Sequence, residues 1–216
     1  MAGFQDREDA GKALLAALPE VDPANTVVIA LPRGGVPVAQ EICKALKLPL
    51  DLVFVRKIGA PMQPELAVGA VVDGARPEVV VNHEIARNLG LSDAQVSEMA
   101  QTLLPEIARR RATYLEGRAP IDLAGKTVIV VDDGIATGAT VKASLIAVRN
   151  RGAAHIILAV PVAPPDTLHE LETLTDEIVC LYAPRYFGAV GAHYRYFPQV
   201  SDAEVIAALQ DARRAP

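Results

Sequence analysis

Residues 128–140 read Val-Ile-Val-Val-Asp-Asp-Gly-Ile-Ala-Thr-Gly-Ala-Thr and decide the fold. Four apolar β-forming residues lead into two carboxylates, and a small turn containing two hydroxyl groups precedes the helical pattern of residues 141–150. This order predicts a buried parallel strand, a sharp turn and a helix.

The predicted turn carries the chemistry of a phosphate site. It would bring backbone N–H groups, the hydroxyls of Thr137 and Thr140 and the positive end of a helix dipole to one small volume. Asp132 and Asp133 would repel a phosphate, so they suit sugar hydroxyls or a metal ion instead. The alternative is that the paired acids are only solvated turn residues, which leaves the spacing of the two threonines unexplained.

The composition of the whole chain narrows the class of protein. Its 216 residues predict one domain, and 51% apolar but only 4% aromatic residues predict an aliphatic α/β core. A net charge of −5 argues against nucleic acid as a partner. There is no apolar run that could span a bilayer, and the first ten residues lack the apolar core of a signal peptide. We therefore expect no membrane partner and a cytoplasmic location.

Short β-rich runs alternate with helical patterns along the chain, which predicts a parallel sheet with helices on both faces. A strand at 50–55 should be followed by a loop at 58–65 and a hairpin at 66–72 and 78–81. A long helix should run from Ser92 towards residue 116, bent at Pro105. The other predicted strands are 26–31, 155–161 and 177–181, and the other predicted helices are 7–18, 36–46, 165–174 and 202–213.

A second strand, turn and helix occurs at residues 31–39 and contains Arg33, Gly34 and Gly35. The two glycines would let backbone amides approach a ligand closely, and the guanidinium fork of Arg33 fits phosphate oxygens. The turn could also be purely structural.

The stretch at 128–140 resembles the thirteen-residue signature of type I phosphoribosyltransferases, with four apolar residues, two acids, a short variable stretch and Thr-Gly-x-Thr. The turn at 31–39 adds to a likeness with the stand-alone branch of that family. The resemblance implies a Rossmann-like core with a small hood, which we place at 82–118 and 186–197 of a single domain covering 1–216. It also implies a homodimer.

The resemblance further implies an activity. The enzyme would use 5-phosphoribosyl 1-pyrophosphate (PRPP) and Mg²⁺ to transfer ribose 5-phosphate to a nucleobase-like acceptor, with release of pyrophosphate. Asp132 and Asp133 would hold the ribose hydroxyls and contact Mg²⁺ directly or indirectly, and pyrophosphate would meet the 33–35 turn. The 5-phosphate would be bound by Ala136, Thr137, Gly138, Ala139 and Thr140. A protein of the same fold could instead bind PRPP or a nucleotide as a regulator without catalysis.

Further site residues are expected from the resemblance. Arg56 and Lys57 are similar to a Val-Arg-Lys run in adenine and orotate phosphoribosyltransferases and would face the leaving pyrophosphate. Glu65 could act as a proton donor or base, or face solvent. Phe187 resembles the base-stacking residue of hypoxanthine-guanine enzymes, or packs in the core. Ala136 occupies the position of an aspartate in 6-oxopurine enzymes, which counts against a mechanism of that kind.

Three consecutive arginines, Arg109, Arg110 and Arg111, fall on the predicted long helix. Consecutive residues span most of a helical turn, so they cannot all face one ligand. They form either a charged outer face or a face from which one member reaches a ligand phosphate.

Overall fold

The computed structural model of the chain describes residues 3–73, 77–115 and 119–214, in full apart from the side chains of Glu65, Arg213 and Arg214. The strands are β1 (Thr26–Ala30), β2 (Leu50–Leu52), β3 (Val55–Ala60), β4 (Gln63–Val72), β5 (Glu78–Val81), β6 (Thr127–Val131), β7 (His155–Val162) and β8 (Glu177–Tyr182). The helices are α1 (Arg7–Ala17), α2 (Gly35–Leu46), α3 (His83–Asn88), α4 (Asp93–Gln101), α5 (Leu104–Leu115), α6 (Ala139–Asn150), α7 (Pro165–Leu171) and α8 (Asp202–Arg214).

The central sheet has five parallel strands in the order β2-β1-β6-β7-β8. From β1 the chain moves outward to β2, and from β6 it moves outward in the other direction to β7 and β8. The direction of winding therefore switches between the neighbours β1 and β6. In open α/β sheets the carboxyl ends of the strands at such a switch are where ligands bind.

Successive residues of β1 serve two different hydrophobic cores. Val28 and Ala30 pack with residues of α1 and α2, whereas Val27 and Ile29 pack with residues of α6. Side chains alternate across a strand, so a continuous apolar run is needed when both faces are covered by helices. The predicted parallel-sheet core with helices on both faces is confirmed.

A second, antiparallel sheet of order β3-β4-β5 corrects part of the sequence interpretation. The predicted pairing of β4 with β5 is present. However, residues 50–55 divide between two sheets, and the loop predicted at 58–65 is instead a hairpin of β3 and β4. The ladder shifts register on either side of Gly59, where a Cβ would lie 2.5 Å from the carbonyl oxygen of Pro64. Such an irregularity lets a strand accommodate glycine and proline, the residues that made the segment look like a loop. Met62, at the tip of this hairpin, is 98% exposed.

The predicted long helix is interrupted. It forms α4 and α5, and the break at residues 102–103 precedes Pro105, which lies in the first turn of α5. Proline is tolerated there because the first N–H groups of a helix have no intrahelical partner. An additional short helix, α3, precedes them.

Ser92 caps α4 through a capping box, in which its hydroxyl accepts from the Gln95 N–H and the Gln95 side chain accepts from the Ser92 N–H. Replacing Ser92 with alanine should lower the free energy of unfolding by about 1 kcal/mol. Ser97 lies inside the same helix, where alanine is favourable, so Ser97→Ala is the matched control. Urea unfolding curves compare the two; equal stability of both variants would contradict the role of the cap.

The segments expected to form the hood contain α3, α4, α5 and a 3₁₀ turn at Val190–His193. Of these, α4 packs against the antiparallel sheet. The assignment of a single domain with this hood stays a prediction.

Two features of the fold concern its thiols and its helices. Cys43 is buried and Cys180 is half-buried, and both are free. Within the described part of the chain, no helix has both the length and the apolar character needed to cross a lipid bilayer.

Candidate functional site

The signature residues form the connection between β6 and α6, at the sheet edge where the winding direction switches. Gly138 precedes α6 with a φ of 73°, in the left-handed region. A Cβ at this position would also lie 2.7 Å from Cγ2 of Thr167. Glycine is therefore required both for the backbone angle and for the space.

This connection surrounds a cavity of about 200 Å³ that opens to solvent. Among the described residues, none of the backbone N–H groups from Ala136 to Thr140 has a hydrogen-bond partner. The side chains of Thr137 and Thr140 are exposed beside them. Unpaired amides at the start of a helix form an anion site. The cavity is lined by Asp132, Gly134, Ile135, Ala136, Thr137, Gly138, Ala139, Thr140, Val141 and Val190; we call it the loop cavity.

The two acids of the signature have different surroundings. Asp132 lines the loop cavity, and its Oδ1 accepts a hydrogen bond of 2.9 Å from the N–H of Asp133. Asp133 does not line that cavity. Its Oδ2 accepts a hydrogen bond of 2.8 Å from Nε of Arg7, and its side chain is 14% exposed.

Burial raises the pKa of both carboxyl groups, because removal from water disfavours the charged form. For Asp132 the pKa rises well above its ordinary value, since the neighbouring charge of Asp133 adds to the effect of burial. For Asp133 the Arg7 guanidinium opposes the rise. The acid that faces the cavity is thus the one whose ionisation is less favourable.

Arg7, at the start of α1, was not singled out in the sequence. Its Nη1 donates to the carbonyl oxygen of Pro198 at 2.7 Å, and its guanidinium carbon lies 3.8 Å from the centroid of the Phe197 ring. Tyr194 from the same segment donates its hydroxyl to the carbonyl oxygen of Asp133 at 2.6 Å. Arg7 therefore joins the first helix, the signature and the segment 194–198. Only its position in the first turn of a helix, where acids are preferred, was unusual in the sequence.

The turn between β1 and α2 packs directly on the signature. A Cβ at Gly34 would lie 2.0 Å from Oδ2 of Asp133, and one at Gly35 would lie 2.6 Å from the carbonyl oxygen of Val131. The sequence interpretation attributed these glycines to close approach of a ligand; in the structure the close approach is to residues 131–133. The Pro32–Arg33 peptide bond of this turn is cis.

The three basic residues that the sequence analysis assigned to pyrophosphate have different surroundings in the structure. Nη1 of Arg33 lies 3.3 Å from Oδ1 of Asp202, and Nη2 of Arg56 lies 2.5 Å from Oε2 of Glu106. Neither arginine lines the loop cavity. Lys57 lines a neighbouring cavity of about 250 Å³ between α6 and the antiparallel sheet, together with Ala139 and Thr140. Arg56 lines a small cavity that also contains Thr140, so both Lys57 and Arg56 share a cavity with a signature residue.

Two other predicted residues do not gain a role from the geometry. Glu65 is part of β4, and its side chain lies outside the described atoms. The Phe187 ring packs against His193, with ring centroids 5.2 Å apart, and does not line the loop cavity. Val190, from the same segment, does line it.

The carboxylates at the signature are the candidates for contact with a cation. In the described ranges, no group of three or more histidine, cysteine, aspartate or glutamate side chains is arranged to hold a metal ion. Asp132, which faces the loop cavity, fits a Mg²⁺ ion that also takes oxygen atoms from a phosphorylated ligand, as this ion commonly does.

A doubly wound parallel sheet with unpaired helix-start amides at its winding switch defines a class of α/β protein in which ligands bind at that edge of the sheet. The model of the family described as phosphoribosyl transferase domain matches residues 5–194. The chain therefore belongs to the phosphoribosyl transferase family.

Individual relatives support this membership. Two Mycobacterium tuberculosis proteins, named "Putative phosphoribosyl transferase MT0597" (strain CDC 1551 / Oshkosh) and "Putative phosphoribosyl transferase Rv0571c" (strain H37Rv), are each 46% identical over 212 residues. The match covers 98% of this chain and 47% of each relative, so the chain spans about half the length of these curated relatives. The crystal structure of TT1426 from Thermus thermophilus is similar, with a TM-score of 0.84 and 38% identity over 97% of this chain and 98% of that one.

Proposed function

We propose that the protein transfers ribose 5-phosphate from PRPP to a nucleobase-like acceptor and releases pyrophosphate. The observation that carries the proposal is the loop cavity, where the unpaired N–H groups of residues 136–140 and the Asp132 carboxyl face the same space. The amides suit the 5-phosphate, and the carboxyl suits the ribose hydroxyls. One cavity thus offers both kinds of partner that a phosphorylated sugar needs.

In this reaction the bond between C1 of the ribose and the pyrophosphate oxygen breaks, a nitrogen of the acceptor bonds to C1, and the proton of that nitrogen passes to the departing pyrophosphate or to water. The bonding electrons leave with the pyrophosphate, so the ribose passes through an oxocarbenium-like state. Residues 136–140 and Asp132 would hold the sugar in one orientation, and Lys57 would lie towards the departing charge. A Mg²⁺ ion held by Asp132 and the donor's oxygens would neutralise the developing charge on the pyrophosphate.

A second candidate is a regulatory protein that binds PRPP and does not turn it over. Arg33 and Arg56, expected to receive pyrophosphate, instead form ion pairs with Asp202 and Glu106, and this observation favours it. The two candidates differ in a direct measurement. Incubation with PRPP, Mg²⁺ and a panel of nucleobases should release pyrophosphate if the protein is an enzyme, whereas a regulator gives binding heat and no release.

The phosphate site itself is tested by Thr137→Val, which removes a hydroxyl and keeps the side-chain shape. Because hydrogen bonds to charged groups contribute about 1.5–3 kcal/mol and the backbone amides remain, the affinity for PRPP should fall about tenfold. Thr102→Val, the same change between α4 and α5, is the control and should leave the affinity unaltered. Isothermal titration calorimetry of both variants measures the two affinities. An unchanged affinity of Thr137→Val for PRPP would contradict the assignment of the 5-phosphate to this loop.

A further inference from the structure

The end of β7 and the helix α7 hold the connection between β6 and α6, residues 132–138, which we call the signature turn. The N–H of Ile135 donates to the carbonyl oxygen of Val162, the last residue of β7, at 2.9 Å. One residue further along the turn, the hydroxyl of Thr167 donates to the carbonyl oxygen of Ala136 at 3.1 Å. Thr167 lies in the first turn of α7. The signature turn is therefore held by a helix that is not part of the signature.

The position of Thr167 is fixed by the packing of α7. Leu171, the last residue of this helix, is 1% exposed and shares a hydrophobic core with Ile135 of the signature turn. Thr167 and Leu171 are four residues apart, so their side chains lie on the same face of the helix. That face packs on Gly138: a Cβ there would lie 2.7 Å from Cγ2 of Thr167 and 4.0 Å from Cδ1 of Leu171. Core packing thus holds the Thr167 hydroxyl against the turn.

The hydrogen bond from Thr167 sets the direction of one amide of the anion site. The carbonyl of Ala136 and the N–H of Thr137 belong to one peptide unit, which is planar and trans, so they point in opposite directions. Because the carbonyl is directed at α7, the N–H is directed away from α7. The loop cavity lies on that other side, since Ala136 and Thr137 line it and no residue of α7, a helix that the structure describes in full, does so. The contact therefore leaves the Thr137 N–H available to a ligand.

Without this hydroxyl, the same peptide unit has a competing orientation. A rotation of the unit would turn the Ala136 carbonyl oxygen towards the loop cavity and the Thr137 N–H away from it. The oxygen carries a partial negative charge and would repel an anion at the place where the N–H attracts one. A donor that already has its binding orientation costs less to order when the ligand arrives. The hydroxyl of Thr167 therefore bears on anion affinity although it lies outside the cavity.

We propose that Thr167 is a positioning residue of the phosphate site, and that its hydroxyl keeps the Thr137 N–H directed into the loop cavity. The inference rests on the proposed function, because the group that this amide would bind is the 5-phosphate of PRPP. Thr167 does not touch the ligand and acts through the backbone of the signature turn. The residues needed for the phosphate site then extend beyond 128–140 to a helix that follows the next strand.

The first test is a calorimetric titration with ribose 5-phosphate, which carries the phosphate monoester without the pyrophosphate. Thr167→Val removes the hydroxyl and keeps a methyl group beside Gly138, and the affinity should fall about five- to tenfold, as for one lost hydrogen bond. Thr167→Ser keeps the hydroxyl and should bind within about twofold of the wild type. Thr102→Val is the matched control, because it removes a hydroxyl that donates to the Met99 carbonyl oxygen at 2.8 Å, outside the site. Its affinity should equal that of the wild type.

The second test needs no ligand. The ¹⁵N relaxation order parameter of the Thr137 N–H should be about 0.85, the value of a rigid backbone, in the wild type and in Thr167→Ser. In Thr167→Val it should fall below about 0.6. If Thr167 served only the stability of α7, its loss would lower the melting temperature and leave this amide as rigid as before.

The outcomes distinguish this inference from the proposed function. If the wild type binds neither ribose 5-phosphate nor PRPP, the proposed function fails, and the order parameters alone decide the role of Thr167. If the wild type binds and Thr167→Val binds equally well, or if the Thr137 N–H is equally rigid in both proteins, the positioning role is wrong. Binding by Thr167→Ser that is as weak as that of Thr167→Val would also overturn it, because the methyl contact with Gly138 would then matter instead of the hydroxyl.

Discussion

Replacing Arg7 with methionine is expected to lower the free energy of unfolding by about 3–5 kcal/mol, because the change leaves Asp133 buried without its cation. The guanidinium is nearly enclosed, with 10% of the side chain exposed, and it contacts the carboxylate, the Pro198 carbonyl and the Phe197 ring. Methionine fills a similar volume, so the lost stability is due mainly to the missing charge and hydrogen bonds. Chemical denaturation at neutral pH provides the measurement.

The control for this prediction is Arg149→Met. Arg149 forms an ion pair of 2.6 Å with Asp176, but the two side chains are 39% and 35% exposed, and solvated pairs contribute less than about 1 kcal/mol. The double variant R7M/D133N, which leaves no unpaired charge, should recover much of the lost stability. Equal destabilisation by Arg7→Met and Arg149→Met would show that the buried pair has no special importance for the fold.

Replacing Asp132 with asparagine is expected to have opposite effects on binding and on stability. The affinity for PRPP should fall about 100-fold, near the upper end of the contribution of hydrogen bonds to charged groups. The protein should nevertheless melt at a higher temperature at pH 7. Asparagine retains the oxygen that accepts from the Asp133 N–H and removes the repulsion between two buried carboxylates.

The pH dependence of this effect has a definite sign. Because the pKa of Asp132 is higher in the folded protein than in the unfolded chain, folding is favoured where the group is protonated, and that advantage is lost as pH rises through the folded pKa. The stabilising effect of Asp132→Asn should thus vanish below about pH 4, near the ordinary pKa of an aspartate, and grow as the pH rises above it. Thermal melts at several pH values measure it. A variant less stable than wild type at pH 7 would contradict the argument.

Together these two variants separate the roles of adjacent acids. Both had been expected to hold the ribose hydroxyls. The structure places Asp132 at the loop cavity and pairs Asp133 with Arg7, so Asp132→Asn should weaken ligand binding without loss of stability, whereas Arg7→Met should lower the stability of the fold.

The sequence was most informative where the structure depends on neighbouring residues. The signature at 128–140 could be interpreted because its strand, turn and helix follow each other directly along the chain. The pairing of Arg7 with Asp133 could not be predicted, because 126 residues separate the two and neither local sequence pattern indicates the other residue. The same holds for Arg33 and Asp202, which are 169 residues apart.

Local patterns were misleading where tertiary packing overrides propensity. Gly59, Pro61 and Pro64 are typical of a loop, but the β3–β4 hairpin absorbs them through shifts in register. Gly34 and Gly35 suggested room for a ligand, which stays a prediction, and their lack of a Cβ also lets the turn pack on the signature. In both cases the glycines indicated that the backbone makes a close contact, but the sequence did not identify the residues on the other side of that contact.

The burial of the two thiols has a practical consequence for labelling experiments. A thiol reacts with alkylating reagents as its thiolate, and burial raises the pKa of Cys43 to about 12 and also raises the pKa of Cys180. Maleimide dyes at neutral pH should therefore modify the native protein slowly. A cysteine introduced at the fully exposed Met62 would then carry a fluorophore almost selectively, and its emission would report on hairpin movement when a sugar phosphate is added.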